Sequence, residues 1–243
     1  MHPQPLVVIL MNPIRKTNLA NRQNYGSARS SDKIEYIVIH YTANDGDHDE
    51  SNGNYFKNNV VNASAHYFVD DDSITQSVPD NFVAWAVGGT KWKDTSITGG
   101  GTMYGKITNA NSISIEMCDT VKDGKYQASE KTIENTVYLA KSLMKKYNIG
   151  VDHIYRHFDV TGKHCPSYLM NSSAWSAFKE RFKEVDDVEV YKTINDIPSW
   201  ALPTIKKLMA HGSLKGDAKG ELNLDRNMLR ILVINDREGC YGK

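Results

Sequence analysis

The chain has 243 residues, with 29 Lys plus Arg against 29 Asp plus Glu, 40% hydrophobic residues and 3 Cys. That length and apolar fraction exclude a disordered chain and suit one sizeable domain with a small appendage. Zero net charge speaks against a nucleic-acid partner bound through phosphate neutralisation, and three scattered Cys rule out a disulfide framework. The longest apolar run, Leu6 to Met11, is six residues against the roughly 20 a membrane span needs, so no span is expected. The run also lacks a basic segment before it and a small-residue cleavage site after it, so no signal peptide is expected. The charge is uneven: from Val190 onward there are nine Lys plus Arg and six Asp plus Glu, which leaves the tail at +3 and the rest at −3.

Met1 to Ser30 holds several Asn, Pro and Ser without periodicity and reads as an extended arm. The fold is expected to begin near Lys33. The β-branched run Ile34 to Ile39 suits a central strand covered on both faces, ending at His40. Asn44 to Asn54 reads as a loop and Asn54 to Val61 as a short helix. Ala65–Val69 and Ser73–Val78 form a hairpin turned through Asp70-Asp71-Asp72. Gly88 to Asn111 contains six Gly in a loop of more than 20 residues, a length that goes with function or disorder, and is read as a cleft wall. From Ile113 to Cys118 the alternation is strict, so Glu116 points away from the face of Ile113, Ile115 and Met117. Ser129 opens a long helix to Tyr147, with Ile133, Val137, Ala140 and Met144 as its apolar stripe and Asn148 to Gly150 as its end. Val151 to Tyr155 reads as a strand and Ala174 to Glu184 as a helix. In the tail, helices are expected from Pro198 to Ala210 and from Asp225 to Ile234, around the turn Lys215-Gly216-Asp217. The division is an arm over 1–30, a main domain over 31–184, an acidic linker over 185–189 and a small, mainly helical module over 190–243.

The chemistry concentrates in Tyr155 to Pro166. His157 and Cys165, eight residues apart around Gly162, can both reach one metal ion, and His40 at a strand end can supply a third ligand. Two His and one Cys with an open fourth position is a catalytic zinc arrangement, because water bound there ionises near neutral pH. The plainer alternative makes both His hydrogen-bonded structural residues and Cys165 a small buried hydrophobe. His153 lies on an expected strand and so is not set up as a helical zinc pair with His157. His66 is expected to make a structural hydrogen bond, and His48, His164 and His211 to be solvated. Cys118 is read as packing and Cys240 as a free thiol.

Ile39-His40-Tyr41-Thr42, Ala65-His66-Tyr67-Phe68-Val69, Asn111-Ser112-Ile113-Ser114-Ile115-Glu116 and the segment His157 to Pro166, in that order, resemble the zinc-dependent N-acetylmuramoyl-L-alanine amidases related to peptidoglycan recognition proteins. The resemblance spans Lys33 to Lys183. It implies an α/β fold with a central mixed sheet flanked by helices, Zn2+ held by His40, His157 and Cys165, Glu116 as the catalytic acid–base, and Lys163 assisting the transition state. Some members carry a catalytic Tyr just before the strand His. Ala65 stands there, so Glu116 must bear that role. Trp85 falls where the family places groove residues and is read as packing on a sugar or stem peptide, or in the core; Trp92 and Tyr104 are weaker candidates of the same kind.

The tail more loosely resembles surface-layer homology modules, and its positive charge suits an anionic cell-wall polymer. The other readings of the tail are a helical pair that packs on the main domain or one that mediates a homodimer. The implied function is a phage or prophage endolysin-like peptidoglycan hydrolase, made in the cytoplasm and reaching the wall at host lysis or by non-classical export. Its rivals are a non-catalytic peptidoglycan-binding protein and a cysteine peptidase using Cys165 with His157.

Overall fold

The computed structural model describes residues 13–183 and 190–242. The chain divides into two compact units, Met1–Lys183 and Glu184–Lys243. The linker expected at 185–189 and the first 12 residues of the expected arm lie outside the described residues.

Unit one contains β1 (Ile14–Thr17), β2 (Tyr25–Ala28), β3 (Tyr36–Asp45), α1 (Asp49–Asn58), β4 (Tyr67–Val69), β5 (Ser73–Gln76), β6 (Phe82–Ala84), α2 (Thr95–Thr98), β7 (Ser112–Lys122), β8 (Lys125–Gln127), α3 (Glu130–Tyr147), β9 (Ile154–Arg156), α4 (His157–Thr161) and α5 (Ser172–Lys183). The main sheet runs β1-β5-β4-β7-β3-β9, with β8 paired to the far end of β7. It is mixed, because β4 and β5 pair antiparallel while β1–β5, β4–β7, β7–β3 and β3–β9 pair parallel. Helices flank it, as the family resemblance implies.

Strand alternation sets the two faces of this sheet. Ile37, Ile39, Ile113, Ile115 and Met117 pack with Leu139, Leu143, Phe178 and Phe182, which places α3 and α5 on one face. Val38 belongs to a different cluster with Val87, Ile107 and Val160, so the even-numbered positions of β3 look toward α4. α1 lies against β5, and Gly53 permits the approach: a Cβ there would meet Thr75 Cγ2 at 2.8 Å. Ser129 caps α3, its hydroxyl accepting from Thr132 N at 3.0 Å, and Asn148 closes the helix at φ 54°.

Several local expectations change. Residues 13–28, read as arm, supply β1 to the sheet edge and β2 to a pair with β6. Three of the four β1 side chains are exposed, so the strand leaves no hydrophobic alternation to detect. β3 continues beyond His40 to Asp45 across a register shift. α1 begins at Asp49, because Asp49 and Glu50 occupy its first turn where the loop composition was read. Val151–His153 is a 3-10 turn, and the strand follows it.

Unit two contains β10 (Val190–Tyr191), α6 (Leu202–Ala210), β11 (Leu224–Asp225) and α7 (Arg226–Arg237). Tyr191, Ile197, Ile205, Leu224, Leu229 and Val233 form its core. Asp225 caps α7 through Met228 N at 2.8 Å, and Asp236 accepts from Thr204 Oγ1 at 2.7 Å and Lys207 Nζ at 2.9 Å, tying the two helices together. The β10–β11 pair was not anticipated, since two residues per strand are too few to show a period. Among the described residues, no helix is long and apolar enough to cross a membrane.

Candidate active site

β3 and β7 run parallel with His40 opposite Glu116, so the two side chains emerge side by side on the α4 face. His40 Nδ1 lies 3.7 Å from Glu116 Oε1. The third side chain comes from α4, which begins at His157 itself. The preceding Arg156 donates its backbone N–H to Asp159 Oδ2 at 2.8 Å and grips the same carboxylate through its guanidinium, at 3.0 Å to Oδ2 and 2.6 Å to Oδ1. The guanidinium also donates to Leu169 O at 2.7 Å. This nearly buried ion pair on either side of His157 sets the orientation of the short helix. Sequence reading overlooked it, although an Arg and an Asp three apart around a candidate ligand were the available signal.

α4 ends at Gly162, whose φ is +88°. A Cβ at Gly162 would lie 2.3 Å from Thr95 Cγ2, so the turn needs glycine twice over. The chain then folds back until Cys165 O accepts from Phe158 N at 2.9 Å. That return brings Cys165 Sγ to 3.9 Å from His40 Nδ1. The ligand atoms of His40, His157 and Cys165 all lie within 4.8 Å of one another, and all three residues are buried. The His40 and His157 ring centroids are 4.7 Å apart.

The electrostatics of this cluster are those of a site that wants a cation. Burial, then the charges of His157 and Lys163, holds His40 well below its ordinary pKa. Burial, followed by Lys163, brings His157 down to about 3. Both imidazoles are therefore neutral donors, the form a metal requires. Burial and the nearby Glu116 push the Cys165 thiol up, so in the bare protein it keeps its proton. Burial also raises Glu116 to about 8 against the opposing charge of Lys163. Lys163 itself is exposed, yet its ammonium acts on all four groups.

Three polar atoms of the cluster are buried without a hydrogen-bond partner: His40 Nε2, His157 Nδ1 and Glu116 Oε2. Unpaired buried polar atoms are rare and call for an explanation. Two neutral imidazoles and one thiol converging with spare lone pairs fit a borderline-soft divalent ion such as zinc.

Glu116 opens into a hollow of about 310 Å³ lined by Thr42, Asn44, Asn52, Tyr55 and Phe68. Trp85 lines a different hollow, of about 440 Å³, with Val87, Tyr104, Asn109 and Val160. His66 is fully buried, accepting from Ser114 N through Nδ1 at 3.0 Å, with Nε2 3.1 Å from Phe82 O. His153 stacks on Tyr36, its Nδ1 3.1 Å from Glu35 O. Cys118 is buried and Cys240 exposed, both as free thiols.

A family profile described as N-acetylmuramoyl-L-alanine amidase matches residues 30–168, a span that includes every residue of this cluster. The chain belongs to the N-acetylmuramoyl-L-alanine amidase family. It is similar to the N-acetylmuramoyl-L-alanine amidases CwlA and BlyA of Bacillus subtilis. Identity to CwlA is 33% over 164 residues, covering 67% of this chain and 54% of the relative. Identity to BlyA is 35% over 158 residues, covering 62% and 41%. The chain thus spans about half the length of the curated relatives it matches. Among solved structures, PlyL superposes with a TM-score of 0.54 at 27% identity, over 71% of this chain and 97% of that one. The catalytic domain of XlyA superposes with a TM-score of 0.53 at 28% identity, over 69% and 98%. Membership of this amidase family accounts for the mixed sheet and flanking helices of unit one.

Proposed function

We propose that the chain is a zinc-dependent N-acetylmuramoyl-L-alanine amidase that hydrolyses the amide joining the lactyl group of N-acetylmuramic acid to the first L-alanine of the peptidoglycan stem. The observation that carries the reading is the convergence of His40, His157 and Cys165, with unpaired buried atoms, beside a carboxyl that opens into a cleft. Family membership and relatives bearing that activity in their names support it.

His40, His157 and Cys165 would hold the zinc, which when bound supplies Lewis-acid polarisation of water and carbonyl. Glu116 takes a proton from the attacking water and returns it to the leaving amine of alanine. Its place beside the ligands, with one oxygen free of hydrogen-bond partners, leaves it able to take that proton and give it back. The ammonium of Lys163, already felt by the whole cluster, faces the negative charge that grows on the carbonyl oxygen. Arg156 and Asp159 keep His157 in place and touch no reacting atom.

A thiol nucleophile is the poorer reading, because Cys165 is 2% exposed and its thiol is pushed up, whereas a reactive cysteine needs a depressed pKa and access. A non-catalytic peptidoglycan binder has no use for a carboxyl buried against the ligands. Unit two, with its own core, is proposed as a module that docks on an anionic wall polymer after release at host lysis.

Digestion of purified peptidoglycan, with and without a chelator, tests the reading. Chelator-sensitive appearance of free alanine amino termini without new reducing ends supports it. New reducing ends, or activity that ignores the chelator, overturn it.

A further inference from the structure

The long loop between β6 and β7 is bound to the segment that carries the ligands. Trp92 N donates to Thr161 O at 2.8 Å, Gly101 N to Phe158 O at 2.9 Å and Met103 N to Asp159 O at 2.8 Å, so the loop satisfies carbonyls of α4. The turn at Gly162 completes the contact, since a Cβ there would also stand 3.2 Å from Trp92 Cβ. Thr95 Oγ1 donates back to Trp92 O at 3.1 Å. Pinned in this way, Trp92 still leaves 43% of its surface exposed. Its ring lies 5.4 Å from the His164 ring at an interplanar angle of 33°. His164 Nε2 is in turn 2.9 Å from Asp94 Oδ2. His164 stands between Lys163 and Cys165 in the chain, so the ledge is one residue away along the backbone from a candidate ligand.

A half-bare indole on a fixed backbone is a ready-made stacking surface. A pyranose lays its face of C–H groups on such a ring, while polar side chains at the rim bond its hydroxyl and acetamido groups. The order of the backbone is already set, so binding loses little conformational entropy. The C–H face of a pyranose matches the indole face, and the rim offers an imidazole and a carboxylate to its hydroxyl and acetamido groups. We propose that Trp92, edged by His164 and Asp94, is a subsite for the N-acetylated amino-sugar chain of the substrate, apart from the hollow into which Glu116 opens. The subsite rests on the peptidoglycan reading above and extends it to the glycan strand on either side of the scissile amide.

The test uses the full chain and a neutral tetrasaccharide of N-acetylglucosamine, which carries no lactyl carboxylate, with affinity measured by calorimetry and tryptophan fluorescence. The parent chain binds it. Trp92→Ala weakens binding about ten-fold, and Trp92→Phe, which keeps an aromatic face, about three-fold or less. Thermal melts identify any variant whose loop has come apart, and the Phe variant keeps the test meaningful in that case. No binding by the parent, or equal binding by parent and folded Trp92→Ala, overturns the subsite. So does a stem peptide that binds the parent and loses affinity with Trp92. Release of alanine amino termini from peptidoglycan is measured in parallel on the parent. Cleavage without any Trp92 effect rejects the ledge alone, whereas Trp92-dependent sugar binding without cleavage rejects the amidase reading alone.

Discussion

The main sheet buries a polar cluster on each face, and the two are finished differently. On the α3 face, Asp80 has both carboxylate oxygens occupied: Tyr67 Oη at 2.6 Å and Gln76 Nε2 at 3.2 Å donate to Oδ1, and Lys146 Nζ at 2.8 Å and Tyr147 Oη at 2.6 Å donate to Oδ2. On the α4 face, His40, His157 and Glu116 each keep a buried atom without a partner. An unsatisfied buried polar group costs about 1–3 kcal/mol, so the first cluster holds the fold together while the second lowers stability to keep bonding capacity open. In these two clusters, both buried and both carrying a carboxyl, hydrogen-bond saturation is what differs: the Asp80 carboxylate is fully engaged, and three converging side chains on the α4 face are not.

The largest effect should come from filling or emptying the open cluster. Dialysis against a chelator should reduce release of alanine amino termini to background and lower the melting temperature, and added zinc should restore both, because an ion that binds only the folded chain stabilises it. Activity that survives verified metal loss would remove this cluster from the chemistry. Next, Glu116→Gln should lower kcat by about 10²–10⁴-fold with zinc content intact. Its unfolding midpoint should stay level or rise, since the substitution removes a largely enclosed carboxyl whose Oε2 has no hydrogen-bond partner. Metal analysis alongside denaturant titration checks both halves.

The saturated cluster should respond in the opposite sense. Asp80→Ala should cost about 3 kcal/mol of stability, by stranding the buried Tyr67 hydroxyl and unpairing Gln76 and Tyr147, while leaving kcat per folded molecule near that of the parent. A variant that melts normally but turns over slowly would erase the distinction between the two clusters. The smallest effect is with pH. Burial raises the Asp80 pKa, but hydrogen bonds from Lys146, Tyr147 and Tyr67 outweigh it, and the carboxyl sits below its ordinary value. Its contribution is therefore complete above the ordinary carboxylate range and is lost as pH falls below about 4. Asp80→Asn should flatten that acid limb in unfolding measured across the range.

Strand alternation made Glu116 legible from sequence, because β7 packs Ile113, Ile115 and Met117 on one face and turns Glu116 to the other, whereas His40 was read only as the end of a strand covered on both faces. The approach of His157 and Cys165 was not readable from periodicity. It depends on a five-residue helix, a glycine turn and the Arg156–Asp159 clasp, none long enough to leave a pattern; the eight-residue spacing around Gly162 only allowed both to reach one ion, and the family resemblance assigned them to it. The fold was hardest to read where the chain is least apolar. Arg29, inside the supposed arm, donates to the carbonyls of Asp80 at 3.1 Å and Ser112 at 2.8 Å, a structural role that leaves no hydrophobic trace.

The split origin of the cluster has a kinetic consequence. His40 and Glu116 ride on two of the central strands of the sheet, whose amides should exchange with solvent only when the whole domain opens. His157 and Cys165 ride on α4 and the turn behind it, a segment short enough to open alone. Metal escape should therefore follow the opening of that segment and proceed orders of magnitude faster than global unfolding. A chelator would then strip the ion from a population whose strands remain protected, and the stripped molecules would be ready to reload without refolding.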